Sequence, residues 1–180
     1  LILSNVRNAQ RITLRDKEYN YTLSFTNVHL HHLLEPIDAE IRLDQIQRTI
    51  AWINELDQQE SIHYSILVGD FNCSPSEIGY PFILSQGFIS SYKEVHGSEP
   101  ELTFPTGLQA PTMDTDGPIT CDYIFFRENK WTSLSQLPQI EYNISSCTLF
   151  GNEPSPTDPT LYPSDHIGVN TVINFTSKNR

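Results

Sequence analysis

The chain has 180 residues, 38% of them hydrophobic and 11% aromatic, which suits one globular domain over residues 1–180 and excludes an intrinsically disordered protein. Its 11 Lys and Arg residues stand against 22 Asp and Glu residues, and the net charge of −11 excludes a basic surface that holds nucleic acid by charge alone. No segment approaches the roughly 18 consecutive apolar residues of a membrane-spanning helix. Three scattered cysteines exclude a disulfide framework and favour a reducing, intracellular compartment.

A strand, a helix and a second strand are predicted in the first half of the chain. Residues 21–30 favour a mostly buried strand because β-branched and aromatic side chains are frequent in them. Apolar side chains then recur at helical spacing and predict an amphipathic helix over residues 38–57, with Asp38 as its N-cap. Residues 62–68 favour a second buried strand that ends in a turn at Gly69. In this βαβ order, both strands end at one rim of a sheet.

The second half of the chain is predicted to contain shorter elements and long loops. Residues 98–118 combine prolines and glycines with polar side chains, which indicates a long loop with a functional role. The other predicted elements, in chain order, are a helix over 77–85, a strand over 88–92, a strand over 120–127, one or two strands over 131–142, a loop over 150–164 and a closing strand over 167–175.

Four short clusters place hydrogen-bonding or acidic side chains at a predicted strand end or in the adjoining turn. They are residues 27–30 (Asn-Val-His-Leu), 69–72 (Gly-Asp-Phe-Asn), 121–124 (Cys-Asp-Tyr-Ile) and 164–166 (Ser-Asp-His). Because strand ends converge at a shared rim in a layered domain, we expect six polar side chains to meet there. These are His29, Asp70, Asn72, Asp122, Asp165 and His166.

The chemistry of these six side chains favours a hard divalent cation. Carboxylate and amide oxygens with imidazoles, in the absence of a cysteine motif, are typical ligands of Mg²⁺ or Mn²⁺ and not of structural zinc. Clustered carboxylates alone would repel a phosphate anion, and a bound cation reverses that effect. A histidine oriented by an aspartate, such as His166 beside Asp122, can take a proton from an attacking water. The six side chains are therefore suited to a cation-assisted attack of water on a phosphate group.

Other uses of single residues are less supported by the sequence. A Ser/His/Asp hydrolase would need Ser164 or Ser74 as its nucleophile, and neither lies in a Gly-x-Ser-x-Gly turn. Nothing near Cys73 in the sequence would lower the pKa of its thiol. His31 and His32 are expected to be loop residues without a role.

In their order along the chain, the four clusters resemble the motifs of the metal-dependent endonuclease/exonuclease/phosphatase superfamily. That superfamily includes deoxyribonucleases, abasic-site endonucleases, deadenylases, inositol polyphosphate 5-phosphatases and neutral sphingomyelinases. The resemblance covers residues 7–175 and implies a fold of the α/β (α+β) class. The implied architecture is a four-layer αββα sandwich, in which two packed β-sheets are flanked by helices.

The same resemblance implies a role for each candidate residue. His29 would contact the scissile phosphate or assist the leaving group. Asp70 and Asn72 would position the nucleophilic water, the phosphate and a metal ion. Asp122 would orient His166, and Asp165 would be a carboxylate of the metal site.

The chain departs from the family pattern at its N-terminal end, and the resemblance does not identify the substrate. Family domains begin with strands that bear a functional Asn and the main metal-ligating Glu, and residues 7–11 resemble the strand that follows these. The N-terminal strands are therefore expected to be missing, and the 180-residue chain alone is expected to be inactive. The leading hypothesis is hydrolysis of phosphodiesters of nucleic acid or nucleotides, with residues 101–118 shaping specificity. A phosphatase for inositol or lipid headgroups and a non-catalytic binding module are the alternatives.

Overall fold

The computed structural model describes residues 1–4, 6–33, 35–107, 118–130 and 140–177. Seven strands and three helices follow one another in this part of the chain. They are β1 (Ala9–Arg15), β2 (Thr22–His29), α1 (Pro36–Gln59), β3 (Tyr64–Asp70), α2 (Gly79–Ser85), β4 (Ile89–Ser90), α3 (Ser91–His96), β5 (Asp122–Glu128), β6 (Ile140–Phe150) and β7 (Gly168–Ser177).

The strands form two sheets. The larger sheet has the order β1-β2-β3-β5-β4, and the smaller sheet pairs β6 with β7 in antiparallel orientation. Strands β2 and β3 are parallel and are connected through α1, whereas the other neighbouring pairs are antiparallel. The predicted βαβ unit is therefore confirmed.

Two apolar cores hold these layers together. Side chains of α1 and α2, such as Ile50 and Ile83, pack with Leu67 and Phe125 on one face of the larger sheet. Tyr64 and other side chains on the opposite face pack with β6 and β7. The expected arrangement of two packed sheets with flanking helices is confirmed. None of the helices in the described part of the chain is long and apolar enough to cross a membrane.

Helix α1 begins two residues before the predicted N-cap. Pro36 occupies its first turn, where a missing N–H is no loss, and Glu35 is the N-cap. Asp38 instead lies in the third helical position, and its Oδ2 accepts the backbone N–H of Glu35 at 2.8 Å. The assignment of Asp38 as N-cap was wrong, because an acidic residue in the first turn can satisfy the same N–H from inside the helix.

Gly69 lies inside β3 and not in a turn. Strand β3 continues to Asp70, and Gly69 is paired with Val28 of β2. The φ of Gly69 is 129°, and a Cβ atom built on it would lie 1.9 Å from the carbonyl oxygen of Val28. A glycine is therefore required here by the close approach of two strands, which explains why the predicted turn was wrong.

The second half of the chain differs from the prediction at two further places. Strand β6 runs from Ile140 to Phe150, well beyond the end of the strand predicted over 131–142. The strand predicted over 88–92 is reduced to β4, and α3 begins at Ser91 with Ser90 as its N-cap. The helix over 77–85 and the strands over 120–127 and 167–175 are confirmed as α2, β5 and β7. Residues 108–117 of the predicted functional loop and 131–139 of the predicted strand lie outside the described residues.

Candidate active site

Three of the predicted residues form a row across neighbouring strands. His29 is paired with Asp70, and Asp70 is paired with Asp122, so β2, β3 and β5 each contribute one residue at the same level. Alternate residues of a strand share a face, and Tyr64 and Ile66 of β3 belong to the core between the sheets. The Asp70 side chain therefore lies on the face of the larger sheet that is turned toward the smaller sheet.

His166 reaches this row from the other sheet. It lies two residues before β7, and its Nδ1 is 2.9 Å from Oδ2 of Asp122. The hydrogen bond that the imidazole donates to Asp122 raises the pKa of His166 above its ordinary value, against the opposing effect of burial. With Nδ1–H donated to Asp122, the Nε2 atom faces Asp70, whose Oδ2 is 3.9 Å away. This geometry leaves Nε2 as the atom that can accept a proton.

Asp70 lies between two imidazoles and beside a second carboxylate. Its Oδ2 is 3.5 Å from Nε2 of His29, and its Oδ1 accepts the backbone N–H of Asn72 at 2.8 Å. Burial and the neighbouring Asp122 raise the pKa of Asp70, while burial lowers the pKa of His29. The carboxylate of Asp122 thus adds negative charge beside the buried Asp70, and a bound cation would offset that charge.

Asn72 forms the tight turn that follows β3. Its φ is 50°, a left-handed conformation that asparagine tolerates better than most residues. Its side-chain amide donates to the carbonyl oxygen of Leu30 at 3.1 Å and to Oδ2 of Asp70 at 3.3 Å. The turn is thereby tied to the end of β2, and the amide oxygen of Asn72 remains available as a ligand.

Asp165 lies beside His166 at the same rim. Oδ1 of its carboxylate accepts the hydroxyl of Ser164 at 3.2 Å, and its backbone oxygen accepts the N–H of Thr106 at 2.8 Å. Five of the six predicted site residues are thus joined by direct contacts, and Asp165 adjoins them through the peptide link to His166. A cavity of about 640 Å³ between the sheets opens against Asp70, Asp122 and His166.

The donor atoms fit a hard cation better than a soft one. The ligand atoms of Cys121, Asp122 and His166 lie within 4.8 Å of one another. Burial, and then Asp122, raise the pKa of the Cys121 thiol, and Nδ1 of His166 is engaged by Asp122, so these three do not suit zinc. Oxygen donors from Asp70, Asn72 and Asp165 match the preference of Mg²⁺ or Mn²⁺.

Two features near the site were missed in the sequence. Arg42 is 1% exposed, and its guanidinium binds both carboxylate oxygens of Glu77, at 2.7 and 2.8 Å, and the carbonyl oxygens of His31 and Leu33. It joins the loop after β2 to the loop after β3. Arg42 lies four residues before the buried Ile46 and therefore on the same helical face, and this spacing in the sequence could have indicated that Arg42 is buried.

The second feature is His31, which was expected to have no role. Its Nε2 lies 2.6 Å from Oδ1 of Asp38, so it makes a structural contact with the first turn of α1. His31 lies in the loop after β2, as predicted, and the chain folds back there and brings its side chain onto the helix terminus.

Comparisons with known proteins identify the family and the fold of this chain. A family model described as "Endonuclease/Exonuclease/phosphatase family" matches residues 5–166. The catalytic domain of human Nocturnin, solved with a bound sulfate anion, is 25% identical with a TM-score of 0.64, over 94% of this chain and 53% of that chain. TDP2 of D. rerio in complex with a single-strand DNA product is 18% identical with a TM-score of 0.66, over 93% of this chain and 62% of that chain.

A curated relative matches a shorter segment. An uncharacterised calcium-binding protein of Arabidopsis thaliana is 36% identical over 70 residues, which are 36% of this chain and 14% of that protein. The chain thus spans 53% and 62% of the two solved structures and a smaller share of the curated relative. Since the family model covers residues 5–166, the chain belongs to the endonuclease/exonuclease/phosphatase family.

Proposed function

We propose that this protein is a Mg²⁺-dependent (or Mn²⁺-dependent) phosphoesterase that hydrolyses phosphodiester bonds of nucleic acid or nucleotides. The observation that carries the proposal is the row of His29, Asp70 and Asp122 across three strands, with His166 hydrogen-bonded to Asp122 at 2.9 Å. Members of this family are phosphoesterases, and the row brings together the residue types that this chemistry needs.

The histidine and aspartate of the pair have separate tasks. Asp122 accepts the Nδ1–H of His166 and thereby fixes the ring orientation and the tautomer. Nε2 of His166 then takes a proton from the water that attacks phosphorus, and Asp122 stabilises the imidazolium that forms. General-base assistance of this kind contributes about 10²- to 10⁴-fold in rate.

The remaining residues bind and orient. Asp70, Asn72 and Asp165 would hold the divalent cation, which when bound supplies positive charge to the phosphate and to the leaving oxygen. The side chain of His29 is 58% exposed, so it is accessible to the phosphate or the leaving group. Asn72 is held by Leu30 and Asp70 and therefore presents its amide oxygen in a fixed direction.

The charge of the chain bears on the substrate. With a net charge of −11, the chain does not favour tight binding of duplex nucleic acid through phosphate contacts. Single-stranded nucleic acid or small phosphodiesters suit it better. That a protein of the same fold holds a single-strand DNA product is compatible with this choice.

The test is hydrolysis of bis(p-nitrophenyl) phosphate and of a short single-stranded RNA by the full-length protein, with Mg²⁺ and with EDTA. We expect cleavage of at least one substrate in Mg²⁺, none in EDTA, and strongly reduced cleavage by His166→Ala. Release of phosphate from inositol phosphates without cleavage of either diester would replace the proposal with a phosphatase. Inertness toward all three substrates would favour a binding module.

A further inference from the structure

Residues 103–106, here called the strap, lie between the segment that carries Asp122 and the segment that carries His166. Thr103 is 0% exposed, and its hydroxyl oxygen accepts the backbone N–H groups of Cys121 at 3.0 Å and Asp122 at 3.1 Å. The backbone N–H groups of Thr103 and Phe104 both donate to the carbonyl oxygen of Ile119, at 2.9 and 3.0 Å. One side of the strap is thus fixed to the start of β5.

The other side of the strap is fixed to the His166 segment. The carbonyl oxygen of Thr103 accepts the N–H of Ile167 at 2.7 Å. Thr106 donates its N–H to the carbonyl oxygen of Asp165 at 2.8 Å and its hydroxyl to the carbonyl oxygen of Ser164 at 2.7 Å. The residues on both sides of His166 are therefore bound to the same four-residue segment that holds Asp122.

The strap also contacts the imidazole itself. The ring centroid of Phe104 lies 4.8 Å from that of His166, with an interplanar angle of 44°. Phe104 is 8% exposed, so the ring is a buried surface against which the imidazole packs. This contact limits rotation of His166 about its side-chain bonds and keeps Nδ1 toward Asp122.

We propose that Thr103 is a positioning residue for the Asp122–His166 pair. Its hydroxyl binds the backbone N–H of Asp122, and its carbonyl oxygen binds the backbone N–H of Ile167, the residue that follows His166. Removing the hydroxyl leaves two buried N–H groups without their acceptor, so the start of β5 must shift relative to the strap. The catalytic consequence rests on the proposed function, whereas the effect on the pair does not.

The test compares Thr103→Val with Thr103→Ser in the full-length protein by proton NMR. The readout is the low-field proton of the imidazole Nδ1–H that is donated to Asp122, assigned by its disappearance in His166→Ala. We expect this resonance in the wild type and in Thr103→Ser, which keeps the hydroxyl, and its loss or strong shift in Thr103→Val.

Thr49→Val is the matched control. Thr49 is 2% exposed, and its hydroxyl donates to the carbonyl oxygen of Gln45 in α1 at 2.7 Å. Thr49→Val therefore removes a buried threonine hydroxyl outside the strap, and we expect it to lower the unfolding temperature while leaving the Nδ1–H resonance in place. A loss of the resonance in Thr49→Val as well would show that loss of a buried hydroxyl anywhere disturbs the pair, which overturns a specific role of Thr103.

Kinetics form a second, separate readout. Misplacement of the general base by about 1 Å can reduce rate about 100-fold, so we expect Thr103→Val to lower kcat by about 10- to 100-fold with KM little changed. Thr103→Ser should restore most of kcat. If the resonance behaves as expected but the wild type hydrolyses no phosphoester, the proposed function fails and the positioning role stands.

A folded Thr103→Val protein with an unchanged Nδ1–H resonance would overturn the proposal. If Thr103→Val does not fold, Thr106→Val is the variant that tests the proposal. The hydroxyl of Thr106 lies in an exposed part of the strap and donates to the carbonyl oxygen of Ser164. We then expect a shifted or broadened resonance in Thr106→Val, and an unchanged one would refute the role of the strap.

Discussion

The Nδ1 atom of His166 lies 2.9 Å from Oδ2 of Asp122, although the two residues are 44 positions apart in the chain. Asp122 is the first residue of β5 in the larger sheet, and His166 lies two residues before β7 of the smaller sheet. The pair therefore joins the two sheets at their shared rim. Its geometry depends on how the sheets pack and not on one strand alone.

The first prediction concerns this pair. His166→Ala should lower kcat by about 10²- to 10⁴-fold, because the proton acceptor is lost. The variant also loses the hydrogen bond to Asp122, so we expect it to stay folded with a moderately lower unfolding temperature. Turnover of bis(p-nitrophenyl) phosphate and circular dichroism measure the two effects. An unchanged rate would remove His166 from the mechanism.

Asp70 is expected to matter for both the metal and the rate. Asp70→Ala should lower turnover by about 100-fold or more and weaken Mg²⁺ binding, because a central carboxylate of the row is lost. Calorimetric titration with Mg²⁺ and the same turnover assay check this. Asp44→Ala is the control, since Asp44 is a 64% exposed carboxylate on α1, and it should change neither quantity. Equal Mg²⁺ affinity in both variants would exclude Asp70 as a ligand.

His31 should matter for stability and not for turnover. His31→Ala removes the 2.6 Å contact with Asp38 and should lower the free energy of unfolding by about 1–2 kcal/mol. Its turnover should stay near that of the wild type, since His31 is outside the row. Urea unfolding and the turnover assay test the two parts. A loss of rate as large as that of His166→Ala would mean that the wrong histidine was chosen.

Gly69 and Gly97 offer a matched pair of glycines at positive φ. A Cβ at Gly69 would lie 1.9 Å from the carbonyl oxygen of Val28, whereas a Cβ at Gly97 meets no atom within 4 Å. Gly69→Ala should lower the free energy of unfolding by about 3 kcal/mol or more, because β2 and β3 must separate. Gly97→Ala should lower it by only about 1 kcal/mol, the cost of its φ alone. Similar losses in both, measured by urea unfolding, would contradict the close approach of the strands.

His63 gives a pH dependence of stability away from the site. Its Nδ1 accepts the backbone N–H of Thr22 at 3.0 Å, and burial lowers the pKa of His63 below its ordinary value of 6.5. In the window between this lowered pKa and 6.5, the unfolded chain binds more protons than the folded one. The contribution of His63 to the free energy of unfolding is therefore complete above that window and falls as the pH decreases through it.

His63→Gln should flatten this acid-side loss of stability. Urea unfolding of the wild type and the variant between about pH 5 and pH 7 measures it, and the difference between the two proteins isolates His63. His166 has a raised pKa, so its contribution to the free energy of unfolding changes with pH in the opposite direction. This contribution is present in both proteins and cancels in their difference. An identical pH slope in both would show that His63 does not titrate differently on folding.

Much of this arrangement could be predicted because it depends on local pattern. The helix over 38–57 and the strands around it follow from spacing and side-chain type, and strand ends gather polar residues at one rim. Helix α3 was not predicted, because its six residues are too few to show a helical period. Most of β6 was also missed, since the apolar alternation of this strand is broken by the register shift between Ile144 and Ser146.

Features that depend on distant contacts could not be predicted in the same way. Ile37 and Ile41 fit the apolar pattern of α1, yet they are 57% and 38% exposed, while Arg42 is buried. The reason is tertiary, because the first turns of α1 face two polar loops and only its later turns face the sheet. The role of Thr103 likewise depends on two segments that approach it from different parts of the chain.

The buried guanidinium of Arg42 has a consequence for the energetics of substrate binding. Because it joins the loop after β2 to Glu77 in the loop after β3, the turns next to His29 and Asn72 are ordered in the folded protein. The conformational entropy of these loops is therefore lost once, when the chain folds, and not again at each encounter with a substrate. Under the proposed function, more of the intrinsic binding energy of a phosphoester would then be available for affinity and for stabilising the transition state.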